Sequence, residues 1–194
     1  MNRRELLQRT AIMLGGSLLG ADTLLAKNVD WDALDGLSGD KAIGLFSKSQ
    51  VKMLSELAET IVPTTATPGA KAAKTGPFMA TIVSDCYEPK DQQAFMAGLQ
   101  KVDQEAKSRY GKTFLKCSPA MRHDLLTELD IEQRTYNQSR KSGDPKHYFR
   151  VIKDLVLWGY FSSEVGATQA LRYVAVPGRY ETIDYKKGDR AWGG

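Results

Sequence analysis

The segment from Pro145 to Ser162 constrains the fold more than any other part of the chain. It carries Tyr148, Phe149, Ile152, Leu155, Val156, Trp158, Tyr160 and Phe161, and at helical spacing these residues cover more than one face. A helix that is apolar on several sides has to be enclosed by other elements. The remaining sequence supplies them. Strand-like alternation is scarce, apolar residues recur at steps of three and four, and Gly and Pro fall between those stretches. The expected class is all-α, a single compact domain of about five helices round a buried central helix.

The enclosing helices can be placed by their start and stop signals. Ser47 with Gln50 three residues later forms a capping-box signature, and Val51, Leu54, Leu57, Ala58 and Ile61 share a face that Pro63 terminates. Residues 63–76 read as a loop with a turn at Pro68-Gly69. Pro77 suits the first position of a second helix that runs to about Tyr87, with Pro89 beyond it as a stop. Phe95, Leu99, Val102, Ala106 and Tyr110 define a long third helix, capped by Gly111. Ser118-Pro119 starts a fourth, carrying Leu125, Leu126 and Leu129 and fading into the polar stretch 132–143. Asp144-Pro145 repeats that device before the central helix. The helical domain is thus 47–172. From Tyr173 to Gly194, Tyr173, Tyr180, Tyr185 and Trp192 alternate with Gly, Pro and charged residues, which predicts an extended arm.

The first 46 residues are of another kind. Arg3-Arg4 precedes a run from Ala11 to Ala26 that is mostly apolar, with Gly15, Gly16 and Gly20 inside it. This is the pattern of a twin-arginine export signal, 1–26, whose receptor and translocase carry folded proteins across the membrane. The run is shorter than the roughly 20 residues of a stable membrane span. A leader or linker, 27–46, follows. Export implies a periplasmic location, where disulfides persist. Cys86 and Cys117 then have three readings: a bridge closing a loop of about 30 residues and stabilising by roughly 3 to 4 kcal/mol, two buried thiols, or one Cys joined to a partner chain.

Chemistry is thinly represented. With 27 Lys+Arg against 23 Asp+Glu the net charge is +4, too mild and scattered for a nucleic-acid binder. Two Cys and two His, none at zinc-finger spacing, leave a structural zinc without its usual ligand set. Signatures of nucleophilic, metalloprotease, nucleotide-binding and covalent-haem chemistry are missing. His123 and His147 read as a solvated helix residue and a first-turn residue, and nothing pairs Glu56, Glu59 or Glu164 as acid and base. No catalytic, cofactor-binding or metal-binding residue is assigned to this chain.

Four stretches together carry a resemblance: Leu57-Ala58-Glu59-Thr60-Ile61-Val62-Pro63, Thr67-Pro68-Gly69-Ala70, Gly159-Tyr160-Phe161-Ser162-Ser163-Glu164-Val165-Gly166, and Tyr173-Val174-Ala175-Val176-Pro177-Gly178-Arg179-Tyr180. In this order, behind a twin-arginine signal, they resemble the gluconate 2-dehydrogenase subunit 3 family. The resemblance implies a non-catalytic small subunit of a membrane-associated sugar or sugar-acid dehydrogenase. In such complexes a large flavoprotein of the glucose-methanol-choline type holds FAD, and a cytochrome c subunit with haem c often takes the electrons. The small subunit supplies the export signal and supports maturation of the large one. Candidate contacts to that partner are Tyr160, Phe161, Glu164, Pro177, Tyr180, Tyr185 and Trp192. Gly159 and Gly166 would allow close approach of another backbone. Core packing is an equally available reading for Tyr160 and Phe161. The competing function is a stand-alone exported helical module that binds a small ligand or an envelope protein.

Overall fold

The computed structural model describes residues 42–176, 178–179, 182–184 and 186–193. The expected export signal with Arg3 and Arg4, most of the expected leader, and Pro177, Tyr180 and Tyr185 lie outside the described residues. What is described is all-α: five helices, a 3-10 turn and a π-helical turn, with no strand among the described residues beyond isolated bridges.

The chain enters through a tight turn in which Ile43 and Phe46 exchange two backbone hydrogen bonds of 3.0 and 2.8 Å. Phe46 is buried edge-on against Phe95, ring centroids 6.0 Å apart. Helix α1, Lys48–Ile61, opens with the expected capping box: Ser47 Oγ accepts from the Gln50 amide, and Gln50 Oε1 accepts from the Ser47 amide at 2.9 Å. Two otherwise orphaned donors are thereby satisfied, and Val51, Leu54, Leu57 and Ala58 are buried.

Helix α2, Thr75–Cys86, begins two residues before Pro77, which therefore sits third rather than first. Proline is still tolerated there because first-turn amides have no intrahelical acceptor. Pro89 does more than stop α2; it is the first residue of α3, Pro89–Tyr110. At the other end of α3, Gly111 adopts φ 65° and its amide donates to Lys107 O, the left-handed cap expected of glycine at that place. After the 3-10 turn Phe114–Lys116, helix α4 runs Pro119–Ser139, with Ser118 accepting from the Met121 amide at 3.3 Å.

Contrary to the sequence expectation, α4 does not fade at residue 132. It continues through the polar stretch because Leu129 and Gln133 are buried and Tyr136 hydrogen-bonds Pro145 O at 2.9 Å. Asp144-Pro145 is likewise not the start of the central helix. Asp144 closes a turn by accepting from the Lys141 amide at 2.9 Å, and His147 is the N-cap of α5, Tyr148–Phe161, through Nδ1 to the Phe149 amide.

Helix α5 touches each of the other four helices. It buries Phe149, Ile152, Leu155, Val156 and Tyr160. Each large apolar side chain enclosed in this way favours folding by about 1.5–3 kcal/mol, so the enclosed helix organises the core as its composition required. A π-helical turn, Gly166–Ala170, follows it.

The proposed disulfide is corrected by the structure. Cys86 is free and exposed at the last residue of α2, and Cys117 is free and buried after the 3-10 turn. One thiol is in solvent and the other inside the core, so neither the bridge nor a pair of buried thiols describes them.

Candidate partner interface

Residues of three of the four motif stretches, Glu59, Pro68 and Tyr160, meet in space at the loop between α1 and α2. Glu59, in the last turn of α1, accepts three hydrogen bonds with its carboxylate: from the Thr64 amide at 3.0 Å, the Thr64 hydroxyl at 2.9 Å and the Lys71 amide at 2.8 Å. From the opposite side, Tyr160 donates its hydroxyl to Pro68 O at 2.7 Å. Multiple hydrogen bonds to a carboxylate are the strong kind, and here they fix a loop that would otherwise be free.

Below the loop, Glu56 bridges Lys71 and Arg122, each at 2.5 Å. Arg122 also donates to Phe114 O and Leu115 O and lies over the Phe114 ring. Partial burial pushes the Glu56 carboxyl up, but Lys71 and Arg122 together outweigh it and hold its pKa below the ordinary value.

This geometry corrects the assignment of Tyr160 to a partner surface. Its ring is 2% exposed and its hydroxyl is engaged within the chain. The glycines beside it are also occupied by this chain itself. A Cβ on Gly159 would fall 2.6 Å from Phe78 Cδ1, and one on Gly166 would collide with the Tyr160 carbonyl. The close approach that glycine permits is to α2 and to the end of α5.

One turn round the same helix the situation reverses. Trp158 is 55% exposed and Phe161 41%. Trp158 is held edge-on by Phe78 at 5.3 Å, and Phe161 by Tyr160 at 5.1 Å. Ser163 ties the end of the helix: its hydroxyl donates to Tyr160 O at 2.6 Å and accepts from the Gly166 amide at 3.0 Å.

The C-terminal tail is not simply an extended arm. It returns to this end of α5, where Arg172 and Trp192 form a parallel bridge with hydrogen bonds of 2.8 Å (Arg172 amide to Ala191 O) and 2.7 Å (Gly193 amide to Arg172 O). Arg172 also pairs with Asp189 at 2.9 Å and lies over the Trp192 ring. Asp189 accepts from the Lys186 amide as well, and the two donors hold its carboxyl below the usual range. Arg190 donates to Gln169 O at 2.7 Å.

The result is an open cleft of about 680 Å³ between the end of α5, the π-helical turn and the returning tail. Phe161, Glu164 and Trp192, three of the residues singled out in the sequence, line it together. Trp158, Leu171 and Tyr173 line it too, and sequence reasoning did not assign them to an interface. A usable signal existed for Trp158: with Val151, Asp154 and Phe161 it forms a stripe at steps of three and four on the side away from Ile152, Val156 and Tyr160. Chemically the cleft offers aromatic area rimmed by hydroxyl and carboxylate groups, the composition of a protein contact surface. Among the described residues no three or more His, Cys, Asp or Glu gather as metal ligands, and no helix is long and apolar enough to cross a membrane.

Comparison with known families decides what kind of chain this is. The family model described as gluconate 2-dehydrogenase subunit 3 matches residues 48–178, more than half of the sequence. The chain belongs to the gluconate 2-dehydrogenase subunit 3 family. The subunit 3 match begins at the first residue of α1 and takes in all five helices and the start of the tail. Membership identifies the chain as an accessory subunit of a dehydrogenase complex that partners with other subunits. Comparison with curated proteins gives no match, and comparison with solved structures gives none.

Proposed function

We propose that this chain is the non-catalytic small subunit of a periplasmic, FAD-dependent sugar or sugar-acid dehydrogenase of the glucose-methanol-choline type. Its twin-arginine signal at Arg3-Arg4 carries both subunits across the membrane, and its helical domain supports maturation of the large flavoprotein. FAD belongs to that partner, and a cytochrome c subunit with haem c is the further electron acceptor. The observation that carries this reading is the family match over 48–178. The exposed aromatic cleft at the end of α5 is the surface on which the large subunit would rest, since aromatic side chains supply much of the contact energy at protein interfaces.

The test is co-expression with the candidate flavoprotein, with and without Arg3→Lys/Arg4→Lys. The carrier role predicts that both proteins stay in the cytoplasm in that variant while still co-purifying. Normal export of the flavoprotein from those cells refutes the carrier role. Unchanged flavoprotein yield and activity in the absence of this chain refutes the maturation role.

A further inference from the structure

Helices α4 and α5 meet at a corner, residues 140–147, whose last residue is a histidine with its side chain only 9% exposed. His147 caps α5 twice: Nδ1 accepts from the Phe149 amide at 3.3 Å, and its carbonyl accepts from the Val151 amide at 3.3 Å. An Nδ1 that accepts carries no hydrogen, so the ring hydrogen is on Nε2, 3.3 Å from Glu132 Oε1. The side-chain cap is therefore open only to the neutral ring. A proton adds to the imidazole at the Nδ1 lone pair, and there it sets one N–H against another, that of Phe149. Ser47 and Ser118 cap α1 and α4 with hydroxyls, which do not titrate in this way.

The groups round the ring decide what a proton does to the corner. From α4, Glu132 favours the cation, but it is 60% exposed and already bonded to the neutral ring, so added charge strengthens that contact little. Tyr136, also on α4, brings its ring to 5.6 Å and holds the corner by donating to Pro145 O at 2.9 Å. On α5, His147 sits at the positive end of a helix whose first turn has no acidic residue. Tyr148, 4.5 Å away, is pushed up to about 12 chiefly by burial and stays neutral. From α3, Lys101 lies over the Tyr148 ring and Glu105 acts on its phenol. Next to the ring in sequence, Lys146 adds a positive charge, Arg150 is paired with Asp154, and Asp144 is engaged by the Lys141 amide. An imidazolium at this place meets the helix dipole and an opposing N–H, and of the groups named Glu132 is the one that offsets them.

We propose that His147 is an acid-operated latch: neutral, it closes the α4–α5 corner and the first turn of α5; protonated, it releases both. The release is local, because Ile152 and Val156 further along α5 are enclosed by apolar contacts that no proton alters. The inference concerns the fold itself and is independent of the accessory-subunit reading.

The test is NMR-detected hydrogen exchange on the full chain from pH 5 to 8, the range in which imidazole titrates, with rates corrected for their intrinsic pH dependence. His147 and His123 are the two histidines of the sequence, and the exposed His123 is the solvent reference. As the His147 ring protonates, the Phe149 and Val151 amides should exchange about fivefold faster, the counterpart of a lost helix cap. Those of Ile152 and Val156 should not change. His147→Asn keeps a cap acceptor that does not titrate, so it should hold the slow rates at every pH, and His147→Ala should show the fast ones throughout. Phe149 and Val151 rates that stay constant while the parent ring titrates overturn the latch, and this result decides even where a variant does not fold. The parent's pH dependence persisting in His147→Asn overturns it too. An equal rise at Ile152 and Val156 does the same, by showing that acid loosens the core as a whole.

Discussion

The two sides of helix α5 differ in what their side chains do. On one, Ile152, Val156 and Tyr160 are enclosed, and the Tyr160 hydroxyl closes the clamp that Glu59 makes on the loop 63–71. On the other, Trp158 and Phe161 remain about half exposed above a cleft bounded by the returning tail. The clamped side satisfies its polar groups within the chain, so it defines the fold. The open side leaves aromatic area uncovered, which a monomer gains nothing from exposing. Aromatic content alone therefore does not separate core from surface; the angle round the helix does.

The comparison breaks most sharply with a substitution on each side. Ile152→Ala should lower stability by about 2–5 kcal/mol, read from urea unfolding, because a fully buried site collapses only partly around the lost atoms. Trp158→Ala should cost far less stability, roughly the 0.5–1.5 kcal/mol of its edge-to-face contact with Phe78, yet reduce co-purification with the large subunit. Equal stability losses for the two would show that the open side is part of the core.

Next in size is the ion cluster beneath the loop. Glu56→Gln should cost about 1.5–3 kcal/mol, the range for hydrogen bonds to charged groups. Because the folded carboxyl titrates below its ordinary 4.5, its contribution is complete above about pH 4.5 and is lost as pH falls through the lower folded value. The parent should therefore lose stability in acid more steeply than the variant, and parallel pH profiles would discount the cluster. Tyr160→Phe is a smaller cut at the same clamp. It removes only the hydroxyl bonded to Pro68 O, so about 0.5–1.5 kcal/mol should be lost, with binding to the large subunit unchanged. Impaired binding at full stability would return Tyr160 to the partner surface.

Much of this fold was legible because local chemistry and tertiary packing agree. Ser47 and Gln50 form a capping box wherever that helix sits, and Gly111 ends α3 for a reason internal to its own backbone. The misreadings have equally local causes. Pro89 breaks one helix and begins the next, and the sequence signal is the same for both. The end of α4 is held by Gln133, buried, and by Tyr136 reaching Pro145, neither of which shows as apolar periodicity. Within the site, Gly159, Tyr160 and Gly166 would look alike packed against this chain or against another. Only the contacts with Phe78, Pro68 and the end of α5 separate the cases. The closure of the tail by Arg172 and Asp189 was not legible at all, since nothing local links residues that far apart.

That closure gives the smallest expected effect, and it isolates the open side from the fold. Asp189 meets Arg172 and the Lys186 amide at the protein surface. Asp189→Asn should thus leave the urea midpoint unchanged while loosening the tail from α5. The amides of Arg172 and Gly193, which donate across the bridge, should exchange faster in the variant, whereas those of Ile152 and Val156 should not change. Acid should reproduce this in the parent: the Asp189 carboxyl is held below its ordinary 3.8, so the pairing is complete above about that pH and fades as pH falls through the lower folded value. If exchange rises equally in α5 and in the tail, the tail is integral to the core and the cleft is not a separate surface. If it rises in the tail alone, and the large subunit suppresses it in the complex, the tail closes one wall of the docking site without contributing to the stability of the helices beneath it.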